Sequence, residues 1–146
     1  MSQSSLPLRI SLNSLLNELG SQPLYEDVLV YDEKIMQKLQ EIPPPTNSRA
    51  DPEIHNFPEL TRALLDIQLR QFLILLHSPF ARQAQSNSRY SLSKMVCFNA
   101  ASSIVDQHSG LVAGGNHAIL LFKNDVFRAA LSICHTIHVS ASLQSK

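Results

Sequence analysis

The stretch "RQFLILLHSPFARQAQSNSRYSLSKMVCFNAASSIV", residues 70–105, decides the fold class of this 146-residue chain. The segment "FLILL" within it is apolar around the whole circumference of a helix, which is typical of a helix that ends inside a core. Pro79 follows, and Ser88 and Ser91 are candidate N-caps for the next helix. The stretch therefore predicts two consecutive helices.

The first of these helices is predicted to begin just after Pro58 and to end near Pro79, because proline is tolerated in a first turn and disfavours a helix that continues past it. The second is predicted to carry an apolar face and small residues that allow a close neighbour. That predicted face consists of Met95, Cys97, Phe98, Ala101, Ile104 and Val105. The first helix is the best candidate for the central element of the core.

Three further helices are predicted from apolar residues at helical spacing. They are "SLNSLLNELG" (11–20), "DEKIMQKLQEI" (32–42, with Asp32 as N-cap), and "HAILLFKNDVFRAALSICHTI" (117–137, capped by Asn116 after the glycine turn "SGLVAGG"). Nothing alternates like a strand, except briefly at "TIHVSAS" (136–142). We therefore expect an all-α fold of about five helices, as a fragment of a larger helical regulatory domain.

The chain divides into four predicted regions. Residues 1–42 hold the N-terminal amphipathic helices, and residues 43–58 form a proline-rich loop, because five prolines in "PPPTNSRADPEIHNFP" oppose regular structure. Residues 59–139 form the helical core, and residues 140–146 form a polar tail.

The charge pattern argues against direct contact with nucleic acid. The formal net charge is zero. Residues 1–60 carry four bases against nine acids, and residues 61–146 carry eight bases against three acids, spread without a basic stripe. The apolar run "FLILL" is far shorter than the roughly 20 residues of a membrane span, and the N-terminus lacks the apolar core of a signal peptide.

His77 and Cys97 are the first candidates for chemistry, since a histidine base can activate a cysteine nucleophile if their helices pack together. The packing interpretation is favoured instead. Cys97 falls on an apolar face, where a free cysteine behaves as a small hydrophobe. His77 is predicted to cap the end of its helix, where it would bond free carbonyls.

Two further patterns lack the companion residues that their chemistry needs. His135 and His138 share a helix face beside Cys134, a spacing that metal sites use, but no second pair of ligands accompanies them. The glycines of "GLVAGGNHA" precede a helix without the strand or the Lys-Ser/Thr of a phosphate-binding loop. No catalytic residue, metal ligand or cofactor is predicted.

Two segments resemble the regulatory domain, or middle homology region, of fungal zinc-cluster transcription factors: "LRQFLILLHSPFA" (69–81) and "RYSLSKMVCFNAA" (89–101). In that family a buried helix ends in an "LLH-[RK]-PF" signature, and the next helix opens with "Y-S" and carries a cysteine followed by two alanines. The matching residues here are Leu75, Leu76, His77, Pro79, Phe80, Tyr90, Ser91, Cys97, Ala100 and Ala101. Ser78 departs from the basic residue of the pattern.

The resemblance implies a regulatory or interaction module of a fungal transcription factor, located in the nucleus and without enzymatic activity. Its implied partners are the remainder of such a factor or another regulatory protein, and its apolar excess predicts dimerisation. Two cysteines cannot form the six-cysteine zinc cluster of the family. The chain is thus expected to be a fragment, a truncated product or a diverged relative.

Two alternatives stay open at this point. One is a truncated remnant without independent activity, and the other is a small helical enzyme that uses His77 with Cys97 or a metal on His135 and His138.

Overall fold

The structure is a computed structural model that describes residues 10, 14, 24–42, 52–117, 119 and 123–144. These ranges contain four long α-helices: α1 (Tyr25–Gln40), α2 (Pro52–Ala81), α3 (Ser91–Ala113) and α4 (Lys123–Gln144), with a 3-10 turn at Ser88–Tyr90. They contain no strand, so the predicted all-α class is confirmed. The helix expected at 11–20 falls almost wholly outside the described residues. None of the described helices is long and apolar enough to cross a bilayer.

Helix α2 is the centre of the fold and packs against each of the other three helices. The prediction that Phe72 to Leu76 is buried holds for four of the five residues. Leu75 is the exception, with 43% of its surface exposed. The side of α2 that carries Leu75 is thus not fully covered by the described residues.

The limits of α2 differ from the predicted ones at both ends. The helix begins at Pro52 rather than after Pro58, so the expected loop does not extend over 52–58, and residues 43–51 lie outside the described residues. Pro52 occupies the first turn, where no backbone N–H is needed. At the other end α2 continues to Ala81, because Pro79 lies in the last turn and removes only one hydrogen bond there.

Helix α1 begins seven residues earlier than predicted. Its N-cap is Leu24, and Asp32 lies in the helix interior. Tyr25, Val28 and Ile35 are buried at positions three and seven residues apart, so they share the face that packs against the core. This burial extends the helix through a stretch that has no strong N-cap signal.

Helix α3 contacts α2 through small and medium side chains. Cys97, Ala100, Ala101 and Ile104 are buried, and the two alanines let the backbones approach closely. Met95 and Phe98, which were predicted to lie on this face, are exposed instead. The correction arises because the packed face is centred on the alanines and not on the largest side chains.

The end of α3 is a glycine turn, as predicted, but the turn begins later, because α3 continues to Ala113. Gly114 is the C-cap, Gly115 has a positive φ of 83°, and Asn116 donates its backbone N–H to the Leu111 carbonyl at 2.9 Å. This is a Schellman arrangement, in which the left-handed position favours glycine.

Helix α4 begins at Lys123, not directly after Asn116, and residues 118 and 120–122 lie outside the described ranges. It extends to Gln144, so "TIHVSAS" is helical and most of the expected polar tail continues the helix. Ala129 and Ile119 are the most deeply buried described residues of this region, whereas Phe127, Leu131 and Ile137 are exposed. The apolar residues of the helix predicted over 117–137 are therefore only partly covered among the described residues.

Candidate functional site: a Ser–His–Asp junction and an open groove

His77 joins three helices in the interior of the protein. Its side chain, on α2, is 0% exposed. Nδ1 lies 2.9 Å from Ser93 Oγ on α3, and Nε2 lies 3.1 Å from Asp32 Oδ1 on α1. The prediction that His77 caps the end of its helix is wrong, because the helix runs on to Ala81 and the ring points between α1 and α3.

Both ring nitrogens of His77 and the Ser93 hydroxyl have a partner at this junction. A carboxylate accepts but does not donate, so Nε2–H donates to Asp32, and in the neutral ring Nδ1 accepts from the Ser93 hydroxyl. Ser93 Oγ also lies 3.4 Å from the Tyr25 hydroxyl. Burying an imidazole without partners would cost several kcal/mol, roughly 2–7 on transfer scales, and these bonds offset that cost.

The order Ser93, His77, Asp32 has the chemical composition of a hydrolase triad, but access to it is closed. In a triad the serine oxygen must reach a substrate carbonyl. Ser93 is 0% exposed and borders neither of the two cavities described below. Because no substrate can reach Ser93 Oγ while α1 is in place, the described geometry fits a structural link between helices.

An aromatic cluster lies beside this junction. The rings of Tyr25, Phe80 and Tyr90 have centroids 4.9–5.1 Å apart in tilted and edge-to-face arrangements. Arg89 lies over the Tyr25 ring, 5.6 Å from its centroid, and pairs with Glu26 at the surface. A backbone hydrogen bond, followed by the Arg89 side chain, lowers the pKa of the exposed Glu26 carboxyl.

Cys97 is packed rather than reactive. Its thiol is 2% exposed, and Sγ lies 3.9 Å from the Ile74 carbonyl oxygen. Burial raises its pKa to about 11, so the thiol stays protonated at neutral pH and lacks the thiolate that a nucleophile needs. Both ring nitrogens of His77 bond other residues, so the geometry gives no support to a His77–Cys97 dyad.

The other sequence candidates are not gathered into one site. Cys134, His135 and His138 lie on α4 and are exposed. The described ranges contain no cluster of three or more side chains able to hold a metal ion. Gly114 and Gly115 close the C-terminus of α3, which presents carbonyl oxygens rather than the N–H groups that bind phosphate.

A groove runs along the side of α2 that lies opposite the His77 junction, toward α4. It consists of two adjoining cavities of about 550 and 460 Å³, and Gln71, Leu75 and Arg128 line both of them. Leu75 on α2 and Leu131 on α4 are 43% and 53% exposed. We call this feature the α2–α4 groove.

Comparison with known proteins gives two significant similarities. The chain is 28% identical over 142 residues, 90% of its length, to transcription factor lepE of Aspergillus flavus. It is 28% identical over 102 residues, 66% of its length, to transcription factor opdR of Penicillium oxalicum. The chain is similar to part of a fungal transcription factor. The resemblance predicted from residues 69–101 is confirmed at that level.

The matched regions are small portions of those relatives. The chain spans 17% of the length of lepE and 13% of the length of opdR. No family model matches the chain, and no solved structure matches it. The named activity of the two relatives therefore belongs to proteins several times longer.

Sequence reasoning missed the roles of Asp32 and Ser93. Asp32 lies seven residues after Tyr25, and Ser93 lies three after Tyr90, so each shares a helix face with an aromatic residue. That spacing was the available signal, together with the histidine in an apolar run. The spacing does not indicate which carboxylate or hydroxyl forms a hydrogen bond with the His77 ring.

Proposed function

We propose that this chain is a regulatory or interaction module of a fungal-type transcription factor, which acts by packing against other parts of such a factor or a regulatory protein. The observation that carries the proposal is the similarity to two named transcription factors over most of the chain. Action in the nucleus and the absence of catalysis form part of the same proposal.

The described structure supports a role in protein contact more than a role in DNA binding. The described basic residues of 61–146 are distributed over α2, the 3-10 turn, α3 and α4 without forming a stripe. The interior is held by a specific polar junction, whereas Leu75 of α2 and Leu131 of α4 are exposed beside a groove. A helical scaffold that exposes apolar side chains beside a groove is well suited to contact another polypeptide.

A reporter assay tests the proposal. The chain is inserted between a heterologous DNA-binding domain and an activation domain, and reporter output is compared with that of an unrelated helical spacer of equal length. We expect the chain to change the output, and we expect Ile104→Asp, which places a charge at a buried position, to abolish that change. Output equal to that of the spacer would contradict the proposal and favour a remnant without activity.

Localisation is tested separately by fusing the chain to a fluorescent protein in a filamentous fungus. The proposal predicts nuclear enrichment when the chain is expressed together with a partner factor. A diffuse signal that no partner changes would count against it.

A further inference from the structure

One face of α2 lines the α2–α4 groove over most of its length. The lining residues Thr61, Leu64, Gln68, Gln71, Leu75 and Ser78 lie three or four residues apart, so they form one continuous stripe on the helix. The stripe extends to Arg82, which makes the groove about 30 Å long at a rise of about 1.5 Å per residue. A groove of this length fits an extended or helical segment better than a compact small molecule.

The groove has apolar walls and cationic edges. Leu64, Leu75 and Leu131 supply apolar surface. Arg128 lines both cavities, Arg82 borders the larger one, and both side chains are exposed. No aspartate or glutamate lines either cavity among the described residues. The charged side chains that line the groove among the described residues, Arg82 and Arg128, are therefore both positive.

We infer that the α2–α4 groove binds an acidic amphipathic helix of a partner polypeptide. Apolar residues of that helix at i, i+3, i+4 and i+7 would contact the leucines, and flanking carboxylates would pair with Arg82 and Arg128. This inference rests on the proposed function, since it identifies the surface through which the module contacts its partner.

The charge pattern separates this occupant from others. A basic or uncharged helix would leave the arginines without complementary charge at the edge of the interface, whereas an acidic helix satisfies them and gains association rate from their field. A second copy of the chain is the main rival, because its first 60 residues are negative. The experiment below separates the two.

The test uses a fluorescein-labelled synthetic peptide of about 18 residues, which spans about 27 Å as a helix. Its leucines follow the i, i+3, i+4, i+7 pattern and its flanking positions are glutamates. A matched peptide carries lysines in place of the glutamates. Binding to the full chain is measured by anisotropy, and sedimentation records the oligomeric state of the same samples.

We expect the acidic peptide to bind at least about tenfold more tightly than the basic one, and the difference to shrink as ionic strength rises. Arg82→Glu with Arg128→Glu should weaken acidic binding about tenfold and favour the basic peptide. Leu75→Ser should weaken binding about fivefold or more.

Two control variants match these changes away from the groove. Phe127→Ser alters an exposed apolar residue that does not line the cavities, and Lys34→Glu reverses an exposed charge on α1. Both should leave binding unchanged, and circular dichroism with thermal melting should show all variants folded. Equal binding of the two peptides, or insensitivity to the groove variants, would overturn the inference. A dimer that Leu75→Ser dissociates would assign the groove to a second copy instead.

Failure here and failure of the proposed function give different results. If the chain changes reporter output while the groove variants bind the peptides as the unsubstituted chain does, only the assignment of the groove as the binding site is refuted. If the acidic peptide binds selectively while reporter output equals that of the spacer, the proposed function is refuted and the binding site is supported.

Discussion

The two sides of α2 differ in how completely their side chains are buried and hydrogen-bonded. Toward α1 and α3, His77 is fully buried and both of its nitrogens are bonded, to Asp32 and Ser93. Toward α4, Leu75 and Leu131 remain exposed beside a groove edged by arginines. A single helix thus presents a closed polar junction on one side and an open apolar surface on the other. We interpret the first as the source of stability and the second as the place of contact.

The largest expected effect comes from a substitution on the closed side of α2, which carries His77. His77→Ala should lower the free energy of unfolding by about 3 kcal/mol, because it leaves a cavity and removes the hydrogen-bond partner of Ser93 and Asp32. Chemical denaturation measures the change. Leu75→Ala, two residues away on the open side, is the matched control and should cost less than about 1 kcal/mol. Equal losses in the two variants would remove the distinction between the sides.

The second effect concerns the pH dependence of the packing of α3 at Cys97, which is buried and borders the larger cavity of the groove. The pKa of Cys97 in the folded protein is raised to about 11, so the folded state holds its thiol proton more tightly than the unfolded state. Stability from this group is complete below pH of about 9 and is lost as pH rises toward 11, by about 2 to 3 kcal/mol. Denaturation at several pH values should show a smaller alkaline loss in Cys97→Ala. Parallel curves for the two proteins would contradict this account.

Much of the fold could be predicted from residues 70–105, since an apolar run and a proline near its end indicate α2, the turn and the start of α3. The predicted serine caps were wrong, because Asn87 caps the 3-10 turn with its side chain and Tyr90 holds the N-cap position of α3 without a side-chain hydrogen bond. The junction of His77, Asp32 and Ser93 could not be predicted. Asp32 lies 45 residues from His77 along the chain, and an acid before an apolar pattern looks the same whether it caps a helix or bonds a buried ring. The exposure of Met95 and Phe98 was also hidden, because backbone approach at Ala100 and Ala101 decided which face of α3 packs.

The smallest expected effect lies at the rim of the closed side. Glu26 pairs with Arg89, and its carboxyl pKa is lowered, so its contribution is present above its ordinary pKa near 4.5 and is lost as pH falls through the lower folded value. Both side chains are exposed, and salt screens the pair. Glu26→Gln should therefore change stability only slightly at neutral pH, and less in high salt. A loss as large as that of His77→Ala would show that the rim, not the buried ring, holds α1 in place.

The central claim, that α2 has one side for stability and one for contact, is tested most directly by amide chemical-shift mapping of the labelled chain with the acidic peptide. The account predicts shifts at Leu75, Ser78, Arg128 and Ser132, which line the groove, while Asp32 and Ser93 stay unchanged. Shifts confined to the junction, or no shifts at saturating peptide, would contradict it.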